Sequence, residues 1–240
     1  MVVFYNMTEA DVKTYSNFHL CLEISDSLFS LLLIDKITSK PIAMEHLGLN
    51  GLELEQVISN SEIISKTSVT SASCVVINSL FSQVPSSLFS DNQAELILKN
   101  TCKLNNGVIT ISDKHTTQGI ITCFGLEEKI KKTLSSQFPL ISFKHISSVL
   151  CDSLKEGLNV NFSSNQSFEV VVFKNKKLEF FNRYLFENQD ESLYYLTLIG
   201  EKLNLNIQQI PIRLSGKIEK KDSLFLFWEQ FIPTENLIFN

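Results

Sequence analysis

Read for the spacing of its apolar residues, the chain gives one order of elements twice: strand, strand, strand, helix, strand, helix. The first run begins near Phe18 and the second near Leu158. The two runs share almost no residue identities, so the repeat is one of architecture. Such an order makes the chain an α/β protein of two similar halves. The spacing divides it into a first half over 1–157, with a subdomain-like segment at about 101–157, and a second half over 158–240.

In the first run Phe18, Leu20, Leu22 and Ile24 alternate with His19, Cys21, Glu23 and Ser25, a strand with one buried face. Asp26-Ser27 is a turn. Residues 28–35 are apolar on both faces and predict an interior strand. A third strand covers Pro41 to Leu47. Leu54, Val57, Ile58, Ser61 and Ile64 keep helical spacing, with Glu53, Glu55 and Glu62 outside. Residues 72–78 read as a buried strand and 83–89 as a turn, with Asp91 the N-cap of a helix over 92–99. A hairpin of 107–112 and 118–124 turns around Asp113-Lys114-His115. A helix through Leu126, Ile130 and Leu134 ends at Pro139. A strand at 140–146 and a helix at 147–156 follow.

The second run has strands at 158–163, 167–174 and 177–182, with a turn at Ser164-Asn165-Gln166. Asn188 and Glu191 are spaced as a capping box for a helix over 189–203. A strand at 206–214 and a helix at 222–231 close it. Residues 1–15 read as a lead-in.

Composition narrows the function. The chain has 240 residues, 44% of them apolar, too many for a disordered chain. No apolar run approaches the ~20 residues of a membrane helix, so no membrane insertion is expected. The 21 basic and 26 acidic residues give a net charge of −5. The basic clusters Lys174, Lys176, Lys177 and Lys217, Lys220, Lys221 are not interleaved with aromatics, which argues against nucleic acid. The N-terminus lacks the basic and apolar stretches of an export signal, so a cytoplasmic location is expected. Five cysteines without a C-x-x-C pair read as reduced thiols. Four scattered histidines predict no metal site.

The segment from Phe180 to Ile218 carries a pattern: Asn182 and Tyr184 after a strand, Asp190 at a helix start, the pair Tyr194-Tyr195, then Leu214 and Gly216. With the turn Val84-Pro85-Ser86-Ser87-Leu88-Phe89, it resembles a family found in Bacteroidetes, domain of unknown function 3822. The resemblance implies a bacterial protein with the actin-like ATPase superfold of actin, sugar kinases and Hsp70. In that superfold two ribonuclease H-like halves face each other around a cleft. No catalytic residues are known for the family, so none are carried over.

The superfold binds ATP through two hairpin turns and a glycine-rich turn, where backbone N–H groups cradle phosphates and carboxylates hold magnesium. The first turn here contains Asp26 and Ser27, with no glycine. The second, Ser163 to Ser167, contains Gln166 but neither acid nor glycine. The third is Leu214-Ser215-Gly216-Lys217, with one glycine where two are usual. Asp26 and Gly216 read either as ordinary turn residues or as remnants of an ATP site. In the second case Asp26 faces magnesium, Ser27 and Gln166 the phosphates, and Gly216 the adenosine.

Other groupings have plainer readings. Cys123 and His145 suggest a thiol and a base, although a thiol in an apolar strand is ordinarily buried and structural. Asp190-Glu191 reads as capping before it reads as paired acids. Tyr194 and Tyr195 point about 100° apart on a helix, one toward core and one toward an interface. Phe225, Phe227, Trp228 and Phe231 cover too wide an arc for one narrow stripe. The expectation is a non-catalytic scaffold or protein-interaction module with a degenerate nucleotide site. No cofactor is expected, and the partner is an unidentified protein or a second copy. The alternative is a divergent protein that binds or hydrolyses ATP with magnesium.

Overall fold

The structure is a computed structural model that describes residues 2–4, 17–25, 28–49, 53–66, 69–115, 118–153 and 155–239. It separates into two compact units, Met1–Val149 and Leu150–Asn240.

In the first unit β1 (Val2–Phe4), β2 (Phe18–Ile24), β3 (Leu28–Asp35), β4 (Pro41–Gly48), β5 (Val69–Val76) and β9 (Ser142–His145) form one sheet in the order β1-β4-β3-β2-β5-β9. Neighbours from β1 to β2 are antiparallel, and β5 and β9 join in parallel. In the second unit the sheet is β12-β11-β10-β13-β14, built from β10 (Gly157–Ser164), β11 (Ser167–Lys174), β12 (Lys177–Leu185), β13 (Ile212–Gly216) and β14 (Leu237–Phe239). Here too three antiparallel strands are followed by two parallel ones. Matched by position, β4, β3, β2, β5 and β9 correspond to β12, β11, β10, β13 and β14. The repeated order read from sequence is therefore two sheets of one topology, and β1 is an addition at the edge of the first.

Alternation decides which face is core. In β2, Phe18, Leu20, Leu22 and Ile24 are buried and the residues between them are half-buried. In β10 and β11, Leu158, Val160, Phe162, Phe168, Val170 and Val172 pack with Leu196, Phe225 and Trp228. Those last three come from α6 (Gln189–Lys202) and α7 (Ser223–Trp228). Trp228 is fully buried and its indole N–H donates to the Ser192 hydroxyl at 3.0 Å. An indole buried without an acceptor would leave a polar group unsatisfied.

Several boundaries differ from those the sequence predicts. The helical spacing of 53–64 is carried by two helices, α1 (Leu54–Ser59) and α2 (Glu62–Lys66). Buried Glu45 explains the break. Its carboxylate accepts the Ser61 hydroxyl at 2.6 Å and the Glu62 and Ile63 N–H groups at 3.1 and 3.3 Å. A new helix N-terminus is thereby capped from a neighbouring strand.

Residues 81–85 are a strand, β6 (Phe81–Pro85), rather than part of a turn. With β7 (Val108–His115) and β8 (Ile120–Glu127) it makes a three-stranded sheet, β6-β8-β7. Asp91 begins a 3-10 turn without capping it, and α3 (Ala94–Thr101) packs Leu98 against Ile121 and Cys123. Asp113, Lys114 and His115 lie within β7, not in its turn. Leu126 belongs to β8, and α4 (Glu128–Gln137) begins after it. The three-stranded sheet thus falls between β5 and α4, where the second unit passes from β13 to α7. A short α5 (Ile146–Ser153) follows β9.

The strand predicted at 206–214 starts only at Ile212, because Asn206 to Ile210 close on themselves as turns. The final helix stops at Trp228. The spacing predicts neither β1 nor β14, because three-residue strands carry too few alternations to stand out.

Candidate functional site

The second unit holds two of the three turns that the sequence analysis offers as a nucleotide site: the β10–β11 turn and the end of β13. The turn is tight. Ser164 pairs with Ser167, leaving Asn165 and Gln166 exposed at the tip. The Gln166 N–H donates to Ser164 Oγ at 3.2 Å, and its carbonyl accepts the Phe186 N–H at 3.0 Å. The serine hydroxyls are committed to one another. Ser167 Oγ lies 2.8 Å from Ser163 Oγ and 2.7 Å from Ser164 Oγ.

Below the turn lies a buried acid that sequence reading did not single out. Glu169, 0% exposed, accepts the Ser163 hydroxyl and the Asn161 amide, both at 2.8 Å. Asn161 in turn accepts the Ser215 hydroxyl of β13 at 3.0 Å. On β12, Arg183 Nε lies 3.3 Å from Glu169 Oε1, an ion pair with both side chains buried. That Nε is near enough for charge attraction but not aligned for a hydrogen bond, and Nη1 also has no partner. Nη2 reaches Ser167 Oγ at 3.4 Å. One polar chain therefore crosses four strands: Ser215, Asn161, Glu169, Arg183. Burial is the largest influence on the Glu169 carboxyl and pushes its pKa up. The Asn161 and Ser163 hydrogen bonds and the Arg183 charge pull it back. The signal in the sequence was a single acid inside the apolar strand SFEVVVFK, since a buried charge calls for a partner nearby.

Gly216 has φ +84°, and its own packing accounts for the residue type. A Cβ at Gly216 would collide with the Phe162 backbone carbonyl, which accepts the Lys217 N–H at 2.7 Å. In the first unit the Ser25 N–H donates to the Leu28 carbonyl at 3.0 Å across the first hairpin turn. Asp26 and Ser27 lie outside the described residues.

The other groupings separate. His145 stacks on Phe81, with ring centroids 4.7 Å apart, and lies 5.6 Å from the Phe124 ring. Cys123 precedes Phe124 in β8 and so points to the opposite face, where it packs on Leu98. Burial pushes its thiol pKa up. A Cys123–His145 pair does not form. Asn188 caps α6: its Oδ1 accepts the Glu191 N–H at 2.9 Å, and the Glu191 carboxylate accepts the Glu187 N–H at 2.8 Å. Tyr194 is 60% exposed, while Tyr195 rests on Tyr184 with ring centroids 4.8 Å apart. Phe225 and Trp228 are core, and Phe231 is 49% exposed. Among the described residues no three His, Cys, Asp or Glu side chains group as a metal site. No described helix is long and apolar enough to cross a membrane.

Comparison with solved structures gives the fold. A Bacteroides thetaiotaomicron protein with actin-like ATPase fold and unknown function aligns with a TM-score of 0.82 at 18% identity, over 96% of this chain and 93% of that one. The PilM–PilN type IV pilus biogenesis complex aligns with a TM-score of 0.55 at 11% identity, over 92% and 90%. The two sheets of one topology are accordingly those of an actin-like ATPase fold. No curated protein matches the chain. A family profile covers residues 8–234, and the chain belongs to that family, described as Protein of unknown function (DUF3822).

Proposed function

We propose that this chain is a non-catalytic scaffold or interaction module that keeps the actin-like fold with a degenerate nucleotide site. One observation carries the reading: the second phosphate turn is closed upon itself. Its serine hydroxyls bond to each other and to Glu169, so a carboxylate lies beneath the turn that would cradle phosphate. Gly216 adds support, because the Phe162 carbonyl accounts for it without an adenosine. The likeness to a member of a pilus biogenesis complex supports a role in protein contacts by fold analogy.

A second reading, binding of ATP with magnesium, is favoured by one feature. Arg183 has two N–H positions without partners close to Ser167. On this reading Asp26 faces the metal, Ser27 and Gln166 the phosphates, and Gly216 the adenosine. Calorimetry with Mg-ATP and Mg-ADP, able to detect a millimolar dissociation constant (about −4 kcal/mol), separates the two. The scaffold reading expects no saturable heat. Saturable binding that weakens in Asp26→Ala, or nucleotide turnover lost in that variant, overturns it.

A further inference from the structure

In the second unit the C-terminal half of α6 forms one side of an open groove with a volume of about 600 Å³. The chain from Asn204 to Gln208 forms the opposite wall, and Phe231, just past α7, completes it. Gly200 lets that wall close in: a Cβ there would lie 2.9 Å from both the Ile207 side chain and the Leu205 carbonyl oxygen. The Leu205 N–H donates to the Gly200 carbonyl at 2.7 Å, and the Gln208 N–H to Asn206 Oδ1 at 3.1 Å. The Asn236 side-chain amide donates to the Gln208 carbonyl at 2.9 Å. The wall is therefore held in place before anything binds, which lowers the ordering cost of binding. Leu193, Leu205, Ile207 and Phe231 give the groove its apolar surface. Phe231 is 49% exposed although its ring packs on Phe227, with centroids 5.2 Å apart. Exposed aromatic side chains beside a groove are the usual anchors of a protein contact.

Charge selects the occupant. Asp190, Tyr194, Thr197 and Glu201 stand at i, i+4, i+7 and i+11 on α6, so they share one stripe, and all four are exposed. Thr197 and Glu201 of that stripe line the groove. The stripe is acidic at both ends, with Asp190 and Glu201 about 16 Å apart along the helix axis. Among the described residues that line the groove, only Glu201 is ionisable. It lies in the last turn of α6, where the helix dipole also favours a cation. Lys202, the one basic residue of α6, sits about 100° further round the helix and does not line the groove. We infer that this groove docks a basic amphipathic segment of a partner protein. The segment's large apolar side chains pack on Phe231 and Tyr194, and its Lys or Arg residues flank them to meet Asp190 and Glu201. The net charge of −5 argues against a second copy of this chain as the occupant. The inference names the kind of partner that the interaction module proposed above would hold, and rests on that reading.

A displayed library of random peptides of about 16 residues, long enough as a helix to span the stripe, selected against the 240-residue chain, tests this. The selected peptides are expected to carry Lys or Arg on both sides of Leu, Phe, Trp or Met. Their binding should weaken with salt, and at least about tenfold in Phe231→Ala and in Glu201→Lys. Both positions are exposed, and unchanged Trp228 fluorescence shows that each variant keeps its core. Amide exchange of the wild type gives a reading without variants: the bound peptide protects residues 200–208. Failure of any peptide to enrich overturns the inference. So do selected peptides without basic residues, peptides indifferent to both substitutions, or protection that falls elsewhere. A dimer in sedimentation equilibrium, at up to about 1 mM protein, that dissociates in Phe231→Ala assigns the groove to a second copy and likewise overturns it. The nucleotide titration reads other residues, so the degenerate-site reading and the docking groove fail separately.

Discussion

The carbonyl of Phe162 fills the space a side chain on Gly216 would need. The two residues are register partners in the parallel pair β10–β13, and the same carbonyl accepts the Lys217 N–H. Close backbone approach and positive φ coincide at Gly216, and only glycine satisfies both. Gly216→Ala is therefore expected to destabilise the second unit by at least about 2 kcal/mol, since left-handed backbone alone costs 1–2 kcal/mol and the backbone carbonyl cannot swing aside. Denaturant midpoints measure this. A near-neutral Gly216→Ala would reopen a ligand-based account of the glycine.

The Glu169–Arg183 pair leads to a prediction with a definite sign. Burial raises the Glu169 carboxyl in the folded state, so the folded protein holds that proton more tightly than the unfolded chain. Its contribution to stability is largest at acid pH and is lost as pH rises from the ordinary glutamate range through the raised value. The stability of the wild type relative to Glu169→Gln should fall as pH rises from about 4 to 7. A relative stability that instead climbs would mean Arg183 and the hydrogen bonds outweigh burial. Glu169→Ala leaves the guanidinium buried and unpaired and should cost about 3–5 kcal/mol. Glu169→Leu/Arg183→Leu should cost less than Glu169→Ala alone.

Glu45 plays a different part in the first unit. It sits on β4, 2% exposed, and its carboxylate serves three donors at the start of α2. Glu45→Ala removes the acceptor shared by the Ser61 hydroxyl and two N–H groups, and about 2–3 kcal/mol of stability should go with it. Glu45→Gln keeps an acceptor and should recover part of that. Equal losses for both variants would show that charge, not hydrogen bonding, matters at this cap.

How far the sequence carried these conclusions depends on the kind of signal each residue left. Alternation in β2 and β10, and the Asn188–Glu191 spacing before α6, are local, and the structure has them where the spacing predicts. The break between α1 and α2 is not local: it depends on Glu45, 16 residues before Ser61. Leu54 through Ile64 continue the helical spacing across that break without a mark. Glu169 and Arg183 face each other only once β11 and β12 pair, at a register that no run of residues announces. Gly216 was legible as a special glycine but not as to cause, since its neighbour Phe162 lies 54 positions earlier in the chain.

The single tryptophan makes the two units separately observable. Trp228 is 0% exposed in the second unit's core, packed 5.4 Å from the Phe162 ring and hydrogen-bonded to Ser192. Its fluorescence follows that core, whereas far-ultraviolet circular dichroism follows both units. Each unit has its own buried cluster, so the two signals need not report one transition. Gly216→Ala should lower the fluorescence midpoint. Glu45→Ala should leave that midpoint in place and lower only the remaining dichroism change. If Glu45→Ala moves both signals together, the units unfold as one cooperative body. A loss caused by Gly216→Ala must then be shared between them.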